Sequence, residues 1–154
     1  MIIKGIVTED CVNYKKISMT IIFPYCNGFK CGGEYCQNSS LANAQNVEIS
    51  VRKIVEKYIN NPITEAIVMQ GLEPFESWND VMDLIIELRA KTDDDIVIYT
   101  GFTKDEILYA INWLQMFPNI TVKFGRYIPG QNKHYDNVLG VYLASDNQYA
   151  EKIS

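Results

Sequence analysis

Residues 17–36 read ISMTIIFPYCNGFKCGGEYC, and this segment sets the architecture of the chain. Its first seven residues are mostly apolar or β-branched, and Pro24 follows them, which predicts a buried β-strand that ends there. Three cysteines, Cys26, Cys31 and Cys36, come directly after the strand. The sequence therefore predicts a strand that leads into a loop rich in thiols.

Short apolar runs recur along the rest of the chain and predict four more strands, at 66–69, at 96–99, within 120–128 and at 141–143. Gly and Pro follow the first of these runs, and a Thr-Gly pair follows the second, so both are expected to end in irregular loops.

Between these runs, apolar residues recur at intervals of three and four, which predicts three amphipathic helices. Ser77 with Asp80, and Thr103 with Glu106, have the spacing of capping boxes at the starts of the second and third helices. The apolar positions are Val47, Val51, Ile54, Val55 and Tyr58 in the first helix, Val81, Leu84, Ile85 and Leu88 in the second, and Ile107, Leu108, Ile111 and Leu114 in the third.

Strands that alternate with helices predict right-handed βαβ units and an α/β domain, with mainly parallel strands and covering helices. We expect one domain over the 154 residues. Ligands of such sheets bind beyond the carboxyl ends of the strands. The cysteine loop, the loop 70–74 and the turn 100–101 all follow strand ends, so they should meet at one rim.

The composition argues against several classes of function. The formal net charge is −5 and no run of Lys or Arg occurs, which argues against a nucleic-acid partner. The first residues lack the pattern of a secretory signal, and no apolar stretch approaches the length of a membrane span. We therefore expect a cytoplasmic protein with no membrane partner.

Three thiols within eleven positions, in a chain expected in a reducing compartment, favour a metal or catalytic site over disulfides. Three thiolates on a glycine-containing loop can hold a 4Fe-4S cluster and leave one iron open for another ligand. A zinc site completed by Cys11 or His134 is an alternative, as is a disulfide with one thiol left over. Otherwise we expect Cys11 to be a small buried residue and His134 to lie in a surface loop.

Several further segments carry a resemblance. They are 23–38 with its cysteines, Gln-Gly-Leu-Glu-Pro at 70–74, Asp-Ile-Val-Ile-Tyr-Thr-Gly-Phe at 95–102, Gly-Arg-Tyr-Ile at 125–128 and Ala-Ser-Asp-Asn-Gln at 144–148. In order and spacing these segments resemble the activating enzymes of anaerobic (class III) ribonucleotide reductase, a branch of the radical S-adenosylmethionine superfamily.

The chain departs from that pattern at three points. The cysteine spacing is C-x4-C-x4-C, where the superfamily usually has C-x3-C-x2-C. Leu72 stands where the family has the second glycine of a Gly-Gly-Glu-Pro loop, and Phe124 stands where the family tends to have Asp.

The resemblance implies a partial (β/α) barrel of the radical S-adenosylmethionine type and two cofactors, a 4Fe-4S cluster and S-adenosylmethionine. It implies that Cys26, Cys31 and Cys36 are both the metal ligands and, through the cluster, the catalytic residues. For S-adenosylmethionine, the implied contacts are Gly71, Leu72 and Glu73 at the methionyl amino group, Tyr35 at the adenine and Thr100 at the ribose. Core packing for Tyr35, a turn cap for Thr100 and an ordinary loop carboxylate for Glu73 remain the alternatives.

The implied reaction is the reductive cleavage of S-adenosylmethionine to methionine and a 5′-deoxyadenosyl radical. The radical would install a glycyl radical on the large subunit of an anaerobic ribonucleotide reductase, with flavodoxin or ferredoxin as the electron donor. Two alternatives stay open: a catalytically silent cluster- or zinc-binding interaction module, and a radical enzyme acting on another peptide or a small molecule. We expect Asn147 and Gln148 to form a structural turn.

Overall fold

The computed structural model describes residues 1–27, 36 and 38–154. In this part of the chain the strands are β1 (Ile2–Ile3), β2 (Gly5–Asp10), β3 (Ser18–Phe23), β4 (Val47–Glu48), β5 (Ala66–Gly71), β6 (Asp95–Tyr99), β7 (Ile120–Phe124), β8 (His134–Asp136), β9 (Val141–Leu143) and β10 (Tyr149–Lys152). The helices are α1 (Ser39–Ala42), α2 (Val51–Ile59), α3 (Trp78–Arg89) and α4 (Leu108–Leu114), and 3-10 turns at Pro74–Ser77 and Asp105–Ile107 precede the last two.

A six-stranded mixed sheet, in the order β10-β7-β6-β5-β3-β2, organises the fold. The four central strands β3, β5, β6 and β7 are parallel and lie side by side in chain order, whereas the outer strands β2 and β10 are antiparallel to their neighbours. The carboxyl ends of the four parallel strands therefore share one edge of the sheet. Two short antiparallel pairs, β1 with β4 and β8 with β9, lie outside this sheet.

The helices cover one face of the sheet. One row of paired residues, Ile21, Met69, Ile98 and Val122, crosses the four parallel strands, and each is fully buried. This row belongs to a core that also contains the apolar stripes of α2, α3 and α4. Parallel strands that lie side by side in chain order, joined by right-handed crossovers, have their connecting helices on the same face of the sheet. Other segments must therefore cover the opposite face.

The β8–β9 hairpin region and Tyr14 cover that opposite face. Val68 and Val97, which alternate with the helix-facing residues, pack with Tyr14, Leu139 and Leu143. The same face also carries polar side chains at 0–6% exposure, namely Thr20, Thr121 and Lys123. The sheet thus has one apolar face and one mixed face.

The predicted strands are all present, β3 ending before Pro24 and β7 ending before Gly125. The stacked and edge-on contacts of Trp78 with Phe75 and Trp113 lie on the helical side. No helix in the described ranges is long and apolar enough to cross a bilayer.

Three details of the helix predictions are wrong. Val47 lies in β4, opposite Ile3, because the Ser50 side chain accepts from the Lys53 N–H (3.3 Å) and starts α2 at Val51. Ser77 forms no cap, because the helical path already begins at Pro74 and Glu73 caps it by accepting from the Phe75 N–H. Leu108 is 51% exposed, because it lies one position off the buried stripe of Ile107, Ala110, Ile111 and Leu114.

Two single-residue expectations are also wrong. Cys11 is exposed, since it follows β2 in a tight turn where the Asp10 carboxylate accepts from the N–H groups of Val12 (2.8 Å) and Asn13 (3.3 Å). His134 is half-buried and lies in β8, paired with Leu143, because the hairpin extends the chain there.

Candidate functional site

A cavity of about 270 Å³ opens at the carboxyl ends of β5, β6 and β7. It is the edge at which the sequence predicted a rim of converging loops, and the cysteine-loop, 70–74 and 100–101 segments all contribute to it. The lining residues are Val12, Asn13, Cys36, Asn38, Gln70, Gly71, Leu72, Tyr99, Thr100, Gly101, Lys123, Gly125, Tyr127, Val141, Tyr142, Leu143, Ala144 and Gln148.

Two of the three loop cysteines are in the described ranges. Cys26 and Cys36 are both half-buried, and Cys36 lines the cavity. Two residues past Cys36, the Asn38 amide donates to the Gly71 carbonyl oxygen (2.8 Å), which joins the end of the cysteine loop to the end of β5. Cys31 and Tyr35 lie outside the described residues.

Gly71 lines the cavity where β5 ends, and its position requires a glycine. Its φ is +109°, and a Cβ there would lie 2.6 Å from Ile22 Cγ2 and 2.9 Å from the Phe23 backbone nitrogen. The adjacent Leu72 is half-buried and lines the same cavity. Gly71 and Leu72 thus both face the space in which the sequence predicted a cofactor.

Glu73 is 1% exposed, and within the described part of the chain its carboxylate accepts hydrogen bonds from three residues. The Thr100 hydroxyl (2.8 Å) and the Phe75 N–H (3.2 Å) donate to Oε1, and the Gly101 N–H (2.9 Å) donates to Oε2. Thr100 lines the cavity and its hydroxyl also accepts from the Phe102 N–H (3.0 Å), which is the turn-capping contact. Glu73 therefore joins the loop after β5 to the turn after β6.

Lys123 and Tyr99 are cavity residues that the sequence analysis did not single out. Lys123 is the one charged side chain of the described lining; it is 6% exposed and donates to the Gly125 carbonyl oxygen (2.9 Å). Its ammonium lies 5.9 Å from the centre of the Tyr99 ring. A usable signal was present, because Thr121 and Lys123 alternate with large apolar residues in β7, which indicates a polar face near a strand end.

The Tyr99 hydroxyl remains a donor over the ordinary pH range. Burial, followed by the negative charges of Asp10 and Asp136, raises the pKa of Tyr99. The hydroxyl donates to the Asn13 carbonyl oxygen (2.6 Å), which fixes the turn between β2 and β3 at the cavity.

Asp10 is the last residue of β2 and lies directly before this turn. Burial raises the pKa of Asp10, but hydrogen bonds from Thr20, Asn13 and Val12 outweigh it and lower the pKa overall.

The segment 144–148 closes the remaining side of the cavity. The Gln148 side chain accepts from the backbone N–H groups of Ala144 (3.0 Å) and Ser145 (3.2 Å) and donates to the Gly125 carbonyl oxygen (3.2 Å). The Asn147 amide donates to the Arg126 carbonyl oxygen (2.8 Å). These are the contacts of a structural turn, as expected for Asn147 and Gln148.

The thiols of the cysteine loop are of the ligand type that an iron–sulfur cluster requires. Iron–sulfur clusters take soft thiolate ligands, and Cys26 and Cys36 supply two thiols at the strand end that leads to the cavity. Within residues 1–27, 36 and 38–154, no three His, Cys, Asp or Glu side chains converge on a common metal site. The two thiols are of the ligand type that a cluster requires, and Cys31, the third cysteine of the predicted set, lies outside the described residues.

Comparison with protein families finds a match that covers most of the chain. A family model described as a 4Fe-4S single cluster domain matches residues 15–148. The matched range includes Cys26, Cys31 and Cys36 and leaves out Cys11. The comparisons with curated proteins and with solved structures found no match. The prediction of an iron–sulfur protein is confirmed at this level.

Proposed function

The chain belongs to the 4Fe-4S single cluster domain family, and on this premise we propose that it is a radical S-adenosylmethionine enzyme. In the proposed reaction, one electron from a flavodoxin or ferredoxin breaks the bond between the sulfonium sulfur and C5′. The products are methionine and a 5′-deoxyadenosyl radical. The radical takes a hydrogen atom from the Cα of a glycine in a partner, for which we propose the large subunit of an anaerobic ribonucleotide reductase.

One observation carries the proposal: Cys36 lines a cavity that Gly71, Leu72 and Thr100 also line. A ligand in this cavity would contact the cysteine loop on one side and the strand ends on the other. The size of the cavity, about 270 Å³, approaches the lower end of the range usual for small-molecule sites.

Cys26, Cys31 and Cys36 are the residues that would hold the cluster, which when bound supplies the electron to S-adenosylmethionine. The chain itself orients the ligand and excludes water. Gly71 and Leu72 form the floor of the cavity at β5, and Thr100 forms the wall at β6. Val141 and Leu143 add apolar cover from β9, which limits the access of water to a reactive intermediate.

A protein partner needs access to the cavity, and two lining residues are strongly exposed. Val12 is 75% and Tyr142 is 72% exposed, so part of the described lining is accessible to a partner. We also propose that the four parallel strands form a partial (β/α) barrel, whose open side would admit a glycine-bearing loop.

The test is anaerobic reconstitution with iron and sulfide, followed by metal analysis, spectroscopy of the reduced cluster and chromatography for 5′-deoxyadenosine. We expect about four irons per chain, a spectrum that shifts when S-adenosylmethionine is added, and 5′-deoxyadenosine as a product. Cys26→Ala, Cys31→Ala and Cys36→Ala should each abolish product formation.

Cys11→Ala is the matched control, because Cys11 is exposed and lies outside the matched range. We expect it to keep both the iron and the activity. Stoichiometric zinc, or a cluster whose spectrum does not respond to S-adenosylmethionine, would contradict the proposal and favour a binding module. Product formation without radical transfer to the reductase would redirect the search to another substrate.

A further inference from the structure

The hydrogen bonds of Glu73 connect three segments that border the cavity. Its backbone N–H donates to the Tyr25 carbonyl oxygen (2.8 Å), directly before Cys26. Its carboxylate accepts from the Thr100 hydroxyl and the Gly101 N–H, in the turn after β6. One residue thus contacts the start of the cysteine loop, its own loop after β5 and the β6 turn.

The carboxylate is directed at the protein rather than at the cavity. Glu73 is 1% exposed and is not among the residues that line the cavity, whereas Thr100 and Gly101 both line it. A carboxylate that accepts two backbone N–H groups and a hydroxyl forms charge-assisted hydrogen bonds, which are about twice as strong as neutral ones. The contacts therefore suit a residue that fixes the wall of the cavity.

We propose that Glu73 is a positioning residue, whose carboxylate holds the Thr100–Gly101 turn as one wall of the cavity and acts on the ligand only through that turn. The identity of the ligand as S-adenosylmethionine rests on the function proposed above. The role of Glu73 itself rests on the contacts in the protein without a ligand.

Two substitutions probe the contact from opposite sides. Glu73→Gln keeps the shape but has a single acceptor oxygen, so its amide NH₂ must face either the Gly101 N–H or the Thr100 and Phe75 donors. Thr100→Val removes only the hydroxyl, and Thr100→Ser restores it. Glu48→Gln is the matched control, because it removes the same charge from an exposed position in β4.

The first measurement is amide hydrogen exchange on the full chain without any ligand. We expect the N–H that faces the new NH₂ group, either that of Gly101 or that of Phe75, to exchange at least about tenfold faster in Glu73→Gln than in wild type. Both N–H groups should exchange at the wild-type rate in Glu48→Gln. The Phe102 N–H should exchange faster in Thr100→Val than in Thr100→Ser, because only the serine can still accept from it. Unchanged exchange of both the Gly101 and the Phe75 N–H groups in Glu73→Gln would overturn the proposal.

The second measurement separates positioning from direct contact with the ligand. On the reconstituted protein, we expect Glu73→Gln and Thr100→Val each to raise the KM for S-adenosylmethionine about tenfold, with kcat for 5′-deoxyadenosine within about threefold of wild type. The double variant should be no worse than the poorer single variant, because both act on one contact. Additive effects of the two substitutions would indicate that Glu73 contacts the ligand itself, and would overturn the proposal.

The failure of this inference and the failure of the proposed function give different results. If wild type neither binds nor cleaves S-adenosylmethionine while exchange at Gly101 or Phe75 responds to Glu73→Gln, the reaction is wrong and Glu73 still fixes the turn. If wild type is active while exchange at neither Gly101 nor Phe75 responds, the reaction stands and the positioning role is wrong. Should Glu73→Gln fail to fold, the comparison of Thr100→Val with Thr100→Ser tests the same contact from the other side.

Discussion

A methyl group added at Gly71 should destabilise the protein in two separable ways. The φ of +109° is unfavourable for any residue with a Cβ, at a cost of about 1–2 kcal/mol. The Cβ would also lie 2.6 Å from Ile22 Cγ2 and 2.9 Å from the Phe23 backbone nitrogen. The second of these atoms belongs to the backbone of β3 and has little room to move, so overpacking adds about 1–3 kcal/mol. We therefore expect Gly71→Ala to lower the free energy of unfolding by about 2–5 kcal/mol, a large part of the total for most domains.

Two other glycines separate these contributions. Gly130 has a φ of +83° but nothing within 4 Å of the place that a Cβ would occupy, so Gly130→Ala should cost only the backbone term of about 1–2 kcal/mol. Gly5 lies in β2 with open space and no positive φ, so Gly5→Ala should be neutral or stabilise by up to about 1 kcal/mol. Urea unfolding of the three variants gives the comparison. A Gly71→Ala variant that loses no more stability than Gly130→Ala would refute the argument from the contacts with β3.

Three other perturbations test the fold around the cavity. Leu114→Ala should lower the free energy of unfolding by about 2–5 kcal/mol, because Leu114 is fully buried. Leu108→Ala in the same helix should lower it by less than about 1 kcal/mol, because Leu108 is 51% exposed. Equal losses in urea unfolding would contradict the packing of α4. Because the pKa of Asp10 is lowered in the folded chain, its contribution to stability is present above its unfolded pKa of about 3.9 and is lost as the pH falls through the lower folded value. We expect Asp10→Asn to flatten the acid side of the stability–pH profile, and an unchanged slope would count against this. Gln148→Leu leaves two backbone N–H groups without their acceptor and should cost about 2 kcal/mol or more in thermal or urea unfolding, and a loss of less than about 0.5 kcal/mol would contradict these contacts.

The sequence predicted well those strands and helices whose hydrophobic pattern lies within their own residues. Strands β3, β5, β6 and β7 are buried on both sides, so each is rich in apolar and β-branched residues and has Gly or Pro nearby. Helices α2 and α3 carry a buried stripe at helical spacing, and their predicted and observed apolar positions agree except at Val47. Local pattern was sufficient in these cases because burial follows directly from it.

The outer strands β2 and β10 were not predicted, and their sequences explain why. The residues of β10 are Tyr-Ala-Glu-Lys, which have no apolar alternation. They form a strand because they pair with β7 over four residues. The Glu151 carboxylate also lies 2.6 Å from the Lys104 ammonium. The residues of β2 likewise depend on their pairing with β3, which shifts register between Val7 and Asp10. Pairing between distant segments depends on the tertiary structure, so it cannot be predicted from the hydrophobic pattern within one segment.

At the site, too, the pattern within one segment is not enough, because residues adjacent in sequence make different contacts. The sequence grouped Gly71, Leu72 and Glu73 as one cofactor-binding motif. Gly71 and Leu72 line the cavity, but the Glu73 carboxylate is buried against the Thr100–Gly101 turn. The difference arises because Gly71, at φ +109°, turns the chain away from the strand, after which Glu73 begins the 3-10 turn that leads into α3. The sequence motif gave these three residues one role, whereas the turn at Gly71 leaves Gly71 and Leu72 at the cavity and buries Glu73 against neighbouring backbone. The two variants are therefore complementary. Glu73→Gln alters the hydrogen bonds to the Thr100–Gly101 turn, and Gly71→Ala alters the turn that leads from β5 to Glu73.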